Sequence, residues 1–328
     1  MATYKGIKGV KVQSKASDPT ASEAAGTVWY NTASTALKYA IQGTAAWASG
    51  GDLTTGRSSA AGCGTQTAGL FFGGEPPNTA KTESYNGTAW TEVGDLGGAL
   101  YSAVGGGTQT AALCVSGTTP PGAITLGVES WNGTSWAGTG DNVNVARTRG
   151  LGSTAGTTTA MLFAGGQVYP TVYGTTETYN GSTWTEVNNM TQVRFFSWGS
   201  GTSTAMLAVG GISSPSEPTT QLATVESWNG TCWSEVNDLN TARGKNSSSG
   251  TQTLALCFGG LPGRTALTES YNGTSWTEVA DLSQARAEAT GFGTSTASIC
   301  AGDDSTPVDE KTEEWNDPVY TIKTVTVS

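Results

Sequence analysis

The stretch GCGTQTAGLFFGG at residues 62–74, followed by ESYNGTAW at residues 83–90, carries the pattern from which most of the chain is built. Its glutamate, Glu83, recurs at intervals of 43 to 49 residues, and a variant of the first stretch precedes every copy. The variants are GGGTQTAALCVSG (105–117), GTTTAMLFAGG (156–166), GTSTAMLAVGG (201–211), GTQTLALCFGG (250–260) and GTSTASICAGD (293–303). Six copies of a unit this long predict a repeat protein in which every unit is one supersecondary structure.

Each unit has the pattern of four β-strands. Strand a begins near an arginine in five of the six copies, and GTxT turns the chain into the apolar strand b. ESYNG lies on strand c, and the tryptophan that follows it lies on strand d. Asn-Gly between two strand patterns favours a tight type I′ hairpin, and no useful length of chain shows a helical period. We therefore predict an all-β fold, a six-bladed β-propeller of four-stranded antiparallel blades.

The ends of the chain indicate how such a ring would close. QGTAAWASGGDL at residues 42–53 matches NGTAWTEVGDL at 86–96, whereas PVYTIKTVTVS at 318–328 is a weak strand d. We expect the N-terminal strand to complete one blade and to tie the first and last blades together, since an open ring would expose sheet edges. The expected domains are an extended N-terminal arm (1–26) and a propeller (27–328), with a hairpin and closing strand at 27–53 and blades at 54–96, 97–142, 143–189, 190–239, 240–282 and 283–328.

The repeat resembles two known families of propeller. Gly73–Gly74 after an apolar strand, then Tyr85 and Trp90, is similar to the kelch repeat, and this similarity extends over about residues 52–317. The spacing of five from the aromatic residue to the tryptophan is shorter than the usual kelch spacing. The string Ser84-x-Asn86-Gly87-x-x-Trp90 also resembles a loosened Asp-box, the hairpin motif of sialidase-type propellers. Both resemblances imply the propeller predicted from the repeat.

Residues that recur in every copy favour a structural interpretation. The glutamates could form a cation ring or a set of catalytic carboxylates, but a ligand site would break the symmetry, so we expect each one to pair with the arginine of its own blade. In the second blade Tyr101 stands in the place assigned to that arginine. We expect the tryptophans to form core between blades. The repeated residues are Glu83, Glu129, Glu177, Glu226, Glu269 and Glu313, Arg57, Arg147, Arg194, Arg243 and Arg286, and Trp90, Trp136, Trp184, Trp233 and Trp276.

The five cysteines are also interpreted as structural. Cys114, Cys257 and Cys300 share a strand-b position that other repeats fill with phenylalanine or alanine. A position that accepts these residue types is an apolar core position, where a free cysteine acts as a small hydrophobic group. An odd number of cysteines without a CxxC spacing gives no metal signature.

Residues that interrupt the repeat are better candidates for binding. Trp198, Phe195 and Phe196 occur in FFSWGSG of the fourth unit and have no counterpart in the others. Tyr169 and Tyr173 lie in one of the unequal loops between strands b and c. Because such insertions often mark the binding face of a repeat protein, we take these five aromatic residues as binding candidates.

Composition excludes several classes of chemistry. The 328 residues include no histidine, which removes Ser-His-Asp and Cys-His nucleophiles, histidine metal ligands and the copper-radical oxidases built on kelch propellers. A net charge of −10 argues against nucleic-acid binding. No apolar run approaches a membrane span, and no apolar segment of a signal peptide follows the N-terminal lysines. We expect no enzyme activity, no cofactor, no metal, no nucleic-acid partner and no membrane insertion.

A short segment before the repeats suggests a biological setting. GTVWYNTASTALK at residues 27–39 resembles a hairpin common in bacteriophage tail-fibre and virion structural proteins. The favoured hypothesis is a non-enzymatic virion structural protein, tail- or fibre-associated. It would be made in the host cytoplasm without a signal peptide and assembled with copies of itself or other virion proteins through residues 1–26. Its loops would contact a host-surface glycan or protein. The alternatives are an extracellular bacterial kelch-like carbohydrate-binding protein and, third, a glycan-degrading propeller enzyme.

Overall fold

A computed structural model describes residues 12–19, 27–216, 219–317 and 320–325 of the chain. The described residues form β-strands joined by turns and loops, with no helix among them. Accordingly, this part of the chain holds no helix of the length and apolarity that a membrane span requires. The fold is therefore all-β, as the repeat pattern predicts.

The strands are short and follow one another at the spacing of the repeats. The first eight are β1 (Gln13–Lys15), β2 (Val28–Asn31), β3 (Ala36–Gln42), β4 (Ala46–Ser49), β5 (Ala61–Thr65), β6 (Ala68–Phe72), β7 (Thr82–Tyr85) and β8 (Trp90–Glu92). The next twelve are β9 (Val104–Thr108), β10 (Ala111–Val115), β11 (Thr118–Thr119), β12 (Ala123–Ile124), β13 (Val128–Trp131), β14 (Trp136–Gly138), β15 (Leu151–Gly152), β16 (Met161–Ala164), β17 (Gln167–Val168), β18 (Thr171–Val172), β19 (Thr176–Tyr179) and β20 (Trp184–Val187). The remaining strands are β21 (Trp198–Thr202), β22 (Ala205–Val209), β23 (Val225–Trp228), β24 (Trp233–Val236), β25 (Ser247–Gly250), β26 (Ala255–Phe258), β27 (Thr268–Tyr271), β28 (Trp276–Glu278), β29 (Thr290–Gly293), β30 (Ala297–Ala301), β31 (Thr312–Asn316) and β32 (Tyr320–Thr324).

Each repeat forms one four-stranded sheet. In the described residues the sheets are β5-β6-β7-β8, β9-β10-β13-β14, β15-β16-β19-β20, β21-β22-β23-β24, β25-β26-β27-β28 and β29-β30-β31-β4. Neighbouring strands are antiparallel throughout the first five of these sheets. The last sheet takes its fourth strand, β4, from the N-terminal side of the repeats, as the match between 42–53 and 86–96 predicts. The C-terminal strand β32 does not serve as strand d, because it pairs with β3 instead.

The chain divides into two compact units, and the division differs from the predicted domains. One unit comprises Trp47–Asn316 and contains the repeats, and the other comprises Met1–Ala46 with Asp317–Ser328. The described part of the second unit is the sheet β1-β2-β3-β32, in which β1 runs parallel to β2. Residues 13–15 are thus a strand of this small sheet and not part of an extended arm. The rest of the predicted arm, residues 1–11 and 20–26, lies outside the described residues.

The carboxylate of Asp18 connects the segment after β1 to the hairpin of β2 and β3. Its carboxylate accepts hydrogen bonds from the indole of Trp29 at 3.2 Å, the amide of Asn31 at 2.6 Å and the ammonium group of Lys38 at 2.6 Å. The bonds from Lys38 and Asn31 lower the pKa of Asp18 below its usual value. A boundary after residue 26 would cut through this network, because the three donors lie on the hairpin that follows.

The repeats contact one another through their tryptophans. Where strand c of the neighbouring sheet begins with threonine, the indole N–H of strand d donates to that hydroxyl. The four bonds of this type run from Trp90 to Thr312, Trp136 to Thr82, Trp233 to Thr176 and Trp47 to Thr268, at 2.9 to 3.0 Å. Trp47 therefore takes the strand-d position of the last sheet, in agreement with the match between residues 42–53 and 86–96. These bonds join apolar clusters that themselves extend from one sheet to the next.

The Asn-Gly hairpins differ in detail from the predicted type I′ turn. Tyr85 pairs with Trp90, so the loop has four residues, and Gly87 is its only residue with positive φ (88°). The side-chain oxygen of Asn86 accepts the amides of Thr88 and Ala89 at 2.9 and 3.0 Å. Asparagine is used here as a side-chain acceptor and not for its tolerance of positive φ.

Five of the six repeated glutamates pair with the arginine of their own repeat, as expected. The side chains of these pairs are at most 2% exposed, so each buried charge has a buried partner. In the second repeat the equivalent of the arginine is Leu100, not Tyr101 as the sequence alignment placed it. The backbone shows this, because Gly74 N donates to Leu100 O at 2.8 Å just as Gly166 N donates to Arg194 O at 2.8 Å.

Four of the five cysteines are buried, and burial raises the pKa of their thiols. All five are free, and Cys232 is half-buried while the other four are buried. Burial raises the pKa of Cys63 and Cys300 to about 12 and that of Cys257 to about 11. Cys114, Cys257 and Cys300 each face the repeated glutamate of strand c across the sheet, which is the shared core position that the sequence indicated.

Candidate functional site

Six non-glycine residues with positive φ occupy equivalent positions just before the first strand of each repeat sheet. Their φ values lie between 51° and 60°, a conformation that costs a non-glycine residue about 1–3 kcal/mol. In five repeats this residue comes two positions after the repeated arginine, as Phe196 does after Arg194. The six are Ser59, Ser102, Arg149, Phe196, Lys245 and Glu288, and we call them the hydrogen-bonded ring.

Backbone hydrogen bonds join these residues in a closed cycle. Each amide donates to the carbonyl of the ring residue in the preceding repeat, and the first repeat bonds to the last. The donor–acceptor pairs are Ser102–Ser59 (2.7 Å), Arg149–Ser102 (3.1 Å), Phe196–Arg149 (2.8 Å), Lys245–Phe196 (2.8 Å), Glu288–Lys245 (3.0 Å) and Ser59–Glu288 (3.2 Å). This cycle explains why positive φ is retained without glycine, since it directs each N–H towards the neighbouring repeat.

The side chains of the ring break the symmetry that its backbone keeps. Together with Trp198 they line a small cavity of about 40 Å³, which has room for a few waters or one small functional group. The guanidinium of Arg149 lies 4.6 Å and the ammonium of Lys245 lies 5.0 Å from the centre of the Phe196 ring. Two cations therefore flank one aromatic ring, a favourable arrangement for each of them.

The two cations differ in their partners. Lys245 forms an ion pair with Glu288, and the Lys245 Nζ also lies 3.6 Å from Asp304 Oδ2. The carboxylate of Glu288 accepts a further hydrogen bond from the hydroxyl of Ser59. Burial, and after it the charge of Glu288, raises the pKa of Asp304. Among the described residues no carboxylate contacts the guanidinium of Arg149, and its Nε is a buried donor without an acceptor. Arg149 is thus the ring cation that forms no ion pair with a described residue. Glu75 is still near enough to interact with it, because burial and then the charge of Glu288 raise the pKa of Glu75 while the charge of Arg149 opposes that shift.

Three residues that line the same cavity carry other unpaired polar atoms, although the amide of Asn246 donates to Val209 O and Cys257 Sγ, which do not line it. The hydroxyls of Ser102 and Ser197 and the side-chain oxygen of Asn246 are buried and lack hydrogen-bond partners in the described part of the chain. Buried polar atoms are almost always hydrogen-bonded in native proteins. Two unpartnered hydroxyls on residues that line one cavity, with a cation beside them that has no ion pair among the described residues, form a place suited to a small polar or anionic group.

The aromatic candidates from the sequence separate into three locations. Trp198 and Phe196 line the cavity, and the indole N–H of Trp198 donates to Gly291 O at 2.9 Å, so its ring closes the cavity from a fixed position. Phe195 is only 4% exposed and packs against Phe196 with the ring centroids 5.4 Å apart, supporting the cavity without lining it. Tyr169, at the turn between β17 and β18, is 73% exposed, and Tyr173 is half-buried. Neither tyrosine lines the cavity.

Sequence reasoning missed Arg149, Lys245 and Glu288. Their residue types are not shared by the other copies and belong to no motif. Only the fact that they occupy the same position in different copies of the repeat could have identified them. Aligning the copies on the arginine places a different residue type at the second following position in nearly every repeat. No group of three or more metal-ligating side chains occurs in the part of the chain that the structure describes.

The comparisons with known proteins concern the fold. No protein-family model and no curated protein sequence matches the chain. The structure is similar to that of the kelch-like protein YjhT, with a TM-score of 0.66 and 10% sequence identity, over 83% of this chain and 99% of that one. At this identity the similarity shows a shared, propeller-like arrangement of four-stranded antiparallel sheets and nothing about activity.

Proposed function

We propose that the chain is a non-enzymatic recognition protein built on a six-bladed β-propeller. The closed cycle of hydrogen bonds through six sheets supports this blade number, and the likeness to a kelch-like protein supports the architecture. The ring cavity is where the ligand binds, as a small polar or anionic group on a host-surface glycan or protein. The observation that carries this proposal is Arg149, a cation held against Phe196 that forms no ion pair with any residue the structure describes.

The test uses the backbone conformation of the ring itself. Arg149 has φ of 60°, so Arg149→Gly removes the side chain while relieving backbone strain, and the fold should be retained. Binding of the full-length chain and of this variant is measured on an array of neutral and acidic glycans and on intact host cells. We expect Arg149→Gly to abolish binding and Tyr169→Ala, which lies outside the cavity, to leave it unchanged. An array and cells that bind neither protein, or bind both equally, would refute a role for the ring.

The virion remains our proposal for the place of action. It is supported by the phage-like hairpin at residues 27–39, which the structure places in a unit separate from the repeats. In this proposal the small unit, including residues 1–26, attaches the protein to other virion proteins, and the repeats display the ring. Mass spectrometry of purified particles should detect the full chain. A chain lacking residues 1–26 should be absent from those particles, and its normal incorporation would contradict the attachment role.

A further inference from the structure

The repeated arginine occupies a site made mostly of backbone carbonyls. In the third repeat, Arg147 donates to Glu177 Oε1 at 2.5 Å, to Val145 O at 2.9 Å, to Phe163 O at 3.1 Å and to Gly165 O at 2.8 Å. A guanidinium has five N–H donors in a fixed plane, so this set of acceptors matches its geometry. One carboxylate supplies the opposite charge, and the carbonyls supply the remaining acceptors.

The second repeat keeps the carboxylate without the arginine. Leu100 stands in the arginine position and is 7% exposed, and its side chain carries no donor. The carboxylate of Glu129 accepts a hydrogen bond from Gly97 N at 2.8 Å. It has no ion pair with any described residue, whereas the other five repeated glutamates each have one.

A cavity of about 390 Å³ lies beside Glu129 and Leu100. Gly98, Cys114 and Gly127 also line it, and they are the counterparts of Val145, Phe163 and Thr175, whose carbonyls surround the guanidinium in the third repeat. All three are smaller than their counterparts, which widens the space. The cavity volume lies within the range of small-molecule sites.

The cavity is accessible from solvent. Gly138, Gly140 and Asn142 form part of its wall, and all three are exposed. Gly138 pairs with Glu129 across the sheet, in the place where the third repeat pairs Glu186 with Glu177. The absence of a side chain at residue 138 leaves the approach to the Glu129 carboxylate open.

We propose that this cavity binds a guanidinium group from outside the chain, either of a small guanidine or of an arginine side chain. Glu129 is the anionic partner, and the carbonyls of residues 98, 114 and 127 are the further acceptors. A primary ammonium group binds more weakly, because its three N–H donors radiate from a single nitrogen. They cannot reach several acceptors in one plane, as the five N–H donors of a guanidinium do. This site does not depend on the function proposed for the ring.

The test follows the amide of Gly97 in the ¹⁵N-labelled full-length chain, because that amide bonds directly to the Glu129 carboxylate. The protein is titrated with N-methylguanidinium chloride or methylammonium chloride at constant ionic strength. We expect a saturable shift with methylguanidinium and about tenfold or more weaker binding of methylammonium. Glu129→Gln should weaken methylguanidinium binding by a similar factor.

Two variants at position 100 show whether methylguanidinium binds in the cavity beside Glu129 or affects the Gly97 amide without binding there. Leu100→Arg supplies the missing guanidinium from within the chain, so saturable binding should disappear. Leu100→Met keeps an uncharged side chain of similar volume and should retain binding. A Gly97 amide that shows no saturable response in the wild type, or the same response in Leu100→Arg, overturns the proposal.

Agmatine and a Gly-Arg-Gly peptide blocked at both ends distinguish the two sources of the group. Tighter binding of agmatine indicates a small guanidine as the ligand, whereas tighter binding of the peptide indicates an arginine presented by a protein. If neither saturates the site, no guanidinium ligand binds there and the proposal fails.

Discussion

Replacing Val128 with threonine should give the indole of Trp184 the acceptor it lacks. Four strand-d tryptophans donate to a threonine hydroxyl at the start of strand c in the neighbouring sheet. The corresponding strand c, next to Trp184, begins with Val128, which packs in the same apolar cluster. The Trp184 Nε1 is accordingly a buried donor without a partner in the described residues.

The expected gain follows from the cost of that unpaired donor. A buried N–H without an acceptor costs about 1–3 kcal/mol, and a formed hydrogen bond contributes about 1 kcal/mol net. Threonine has nearly the shape of valine, so little packing is lost, and its hydroxyl is paired as soon as it is buried. We expect Val128→Thr to stabilise the chain by about 1 kcal/mol, which raises Tm by about 2–4 °C in a domain of this size class.

Val225→Thr is the matched control. Val225 begins strand c next to Trp276, whose indole already donates to Asn237 O at 3.1 Å. There the new hydroxyl meets no unpaired indole, and its burial should cost about 1 kcal/mol or more. Urea unfolding and thermal melts measure both variants. If Val128→Thr is as destabilising as Val225→Thr, the interpretation of Trp184 as an unsatisfied donor is refuted.

Four further predictions test the ion pairs, the accessibility of the thiols, the pKa of the thiols and the domain division. Glu177→Gln should cost about 3–5 kcal/mol, because it leaves a buried arginine uncompensated, whereas Glu129→Gln should cost much less; similar costs in urea unfolding would contradict the difference between these repeats. A thiol-specific reagent should label Cys232 first in the native protein, since the other four cysteines are buried. Because burial raises the pKa of those four thiols, the folded chain keeps protons that the unfolded chain releases above about pH 9. The thiol contribution to the unfolding free energy should therefore be constant between about pH 7 and 9, and the unfolding free energy measured against pH should fall as the pH rises from about 9 towards about 11. Deleting residues 1–42 should leave the cooperative thermal melt of the repeats intact. Deleting residues 1–50 also removes β4 and should lower Tm by several degrees. The same Tm for both deletions would show that β4 does not stabilise the repeats.

The repeat pattern was sufficient to predict the number and order of the strands, but not to align every residue of one repeat with its counterpart in the next. The copies of GTxT and ESYNG predicted four strands per repeat, and the similarity of 42–53 to 86–96 predicted the origin of β4. The alignment failed by one residue in the second repeat, where Leu100 and not Tyr101 replaces the arginine. A hydrogen bond from Gly74 resolves that ambiguity, since backbone geometry is independent of the side chain present.

The candidate site was only partly accessible to sequence reasoning. Phe196 and Trp198 could be selected because they interrupt the repeat, and both line the ring cavity. Tyr169, selected because it lies in an insertion, is exposed and lies away from the cavity. Arg149 and Lys245 are about a hundred residues apart in the sequence, and no local signal brings them to the same aromatic ring.

By itself, the sequence determined the all-β class, the six four-stranded units and the core positions, because strand propensity, turn chemistry and apolar alternation act over short distances and recur in every copy. Only the tertiary structure decided which residues of different repeats meet. The closed cycle of backbone bonds brings together six side chains from positions 59 to 288, and the loss of one arginine opens a cavity beside Glu129. Both features depend on contacts between distant segments, which no local pattern encodes.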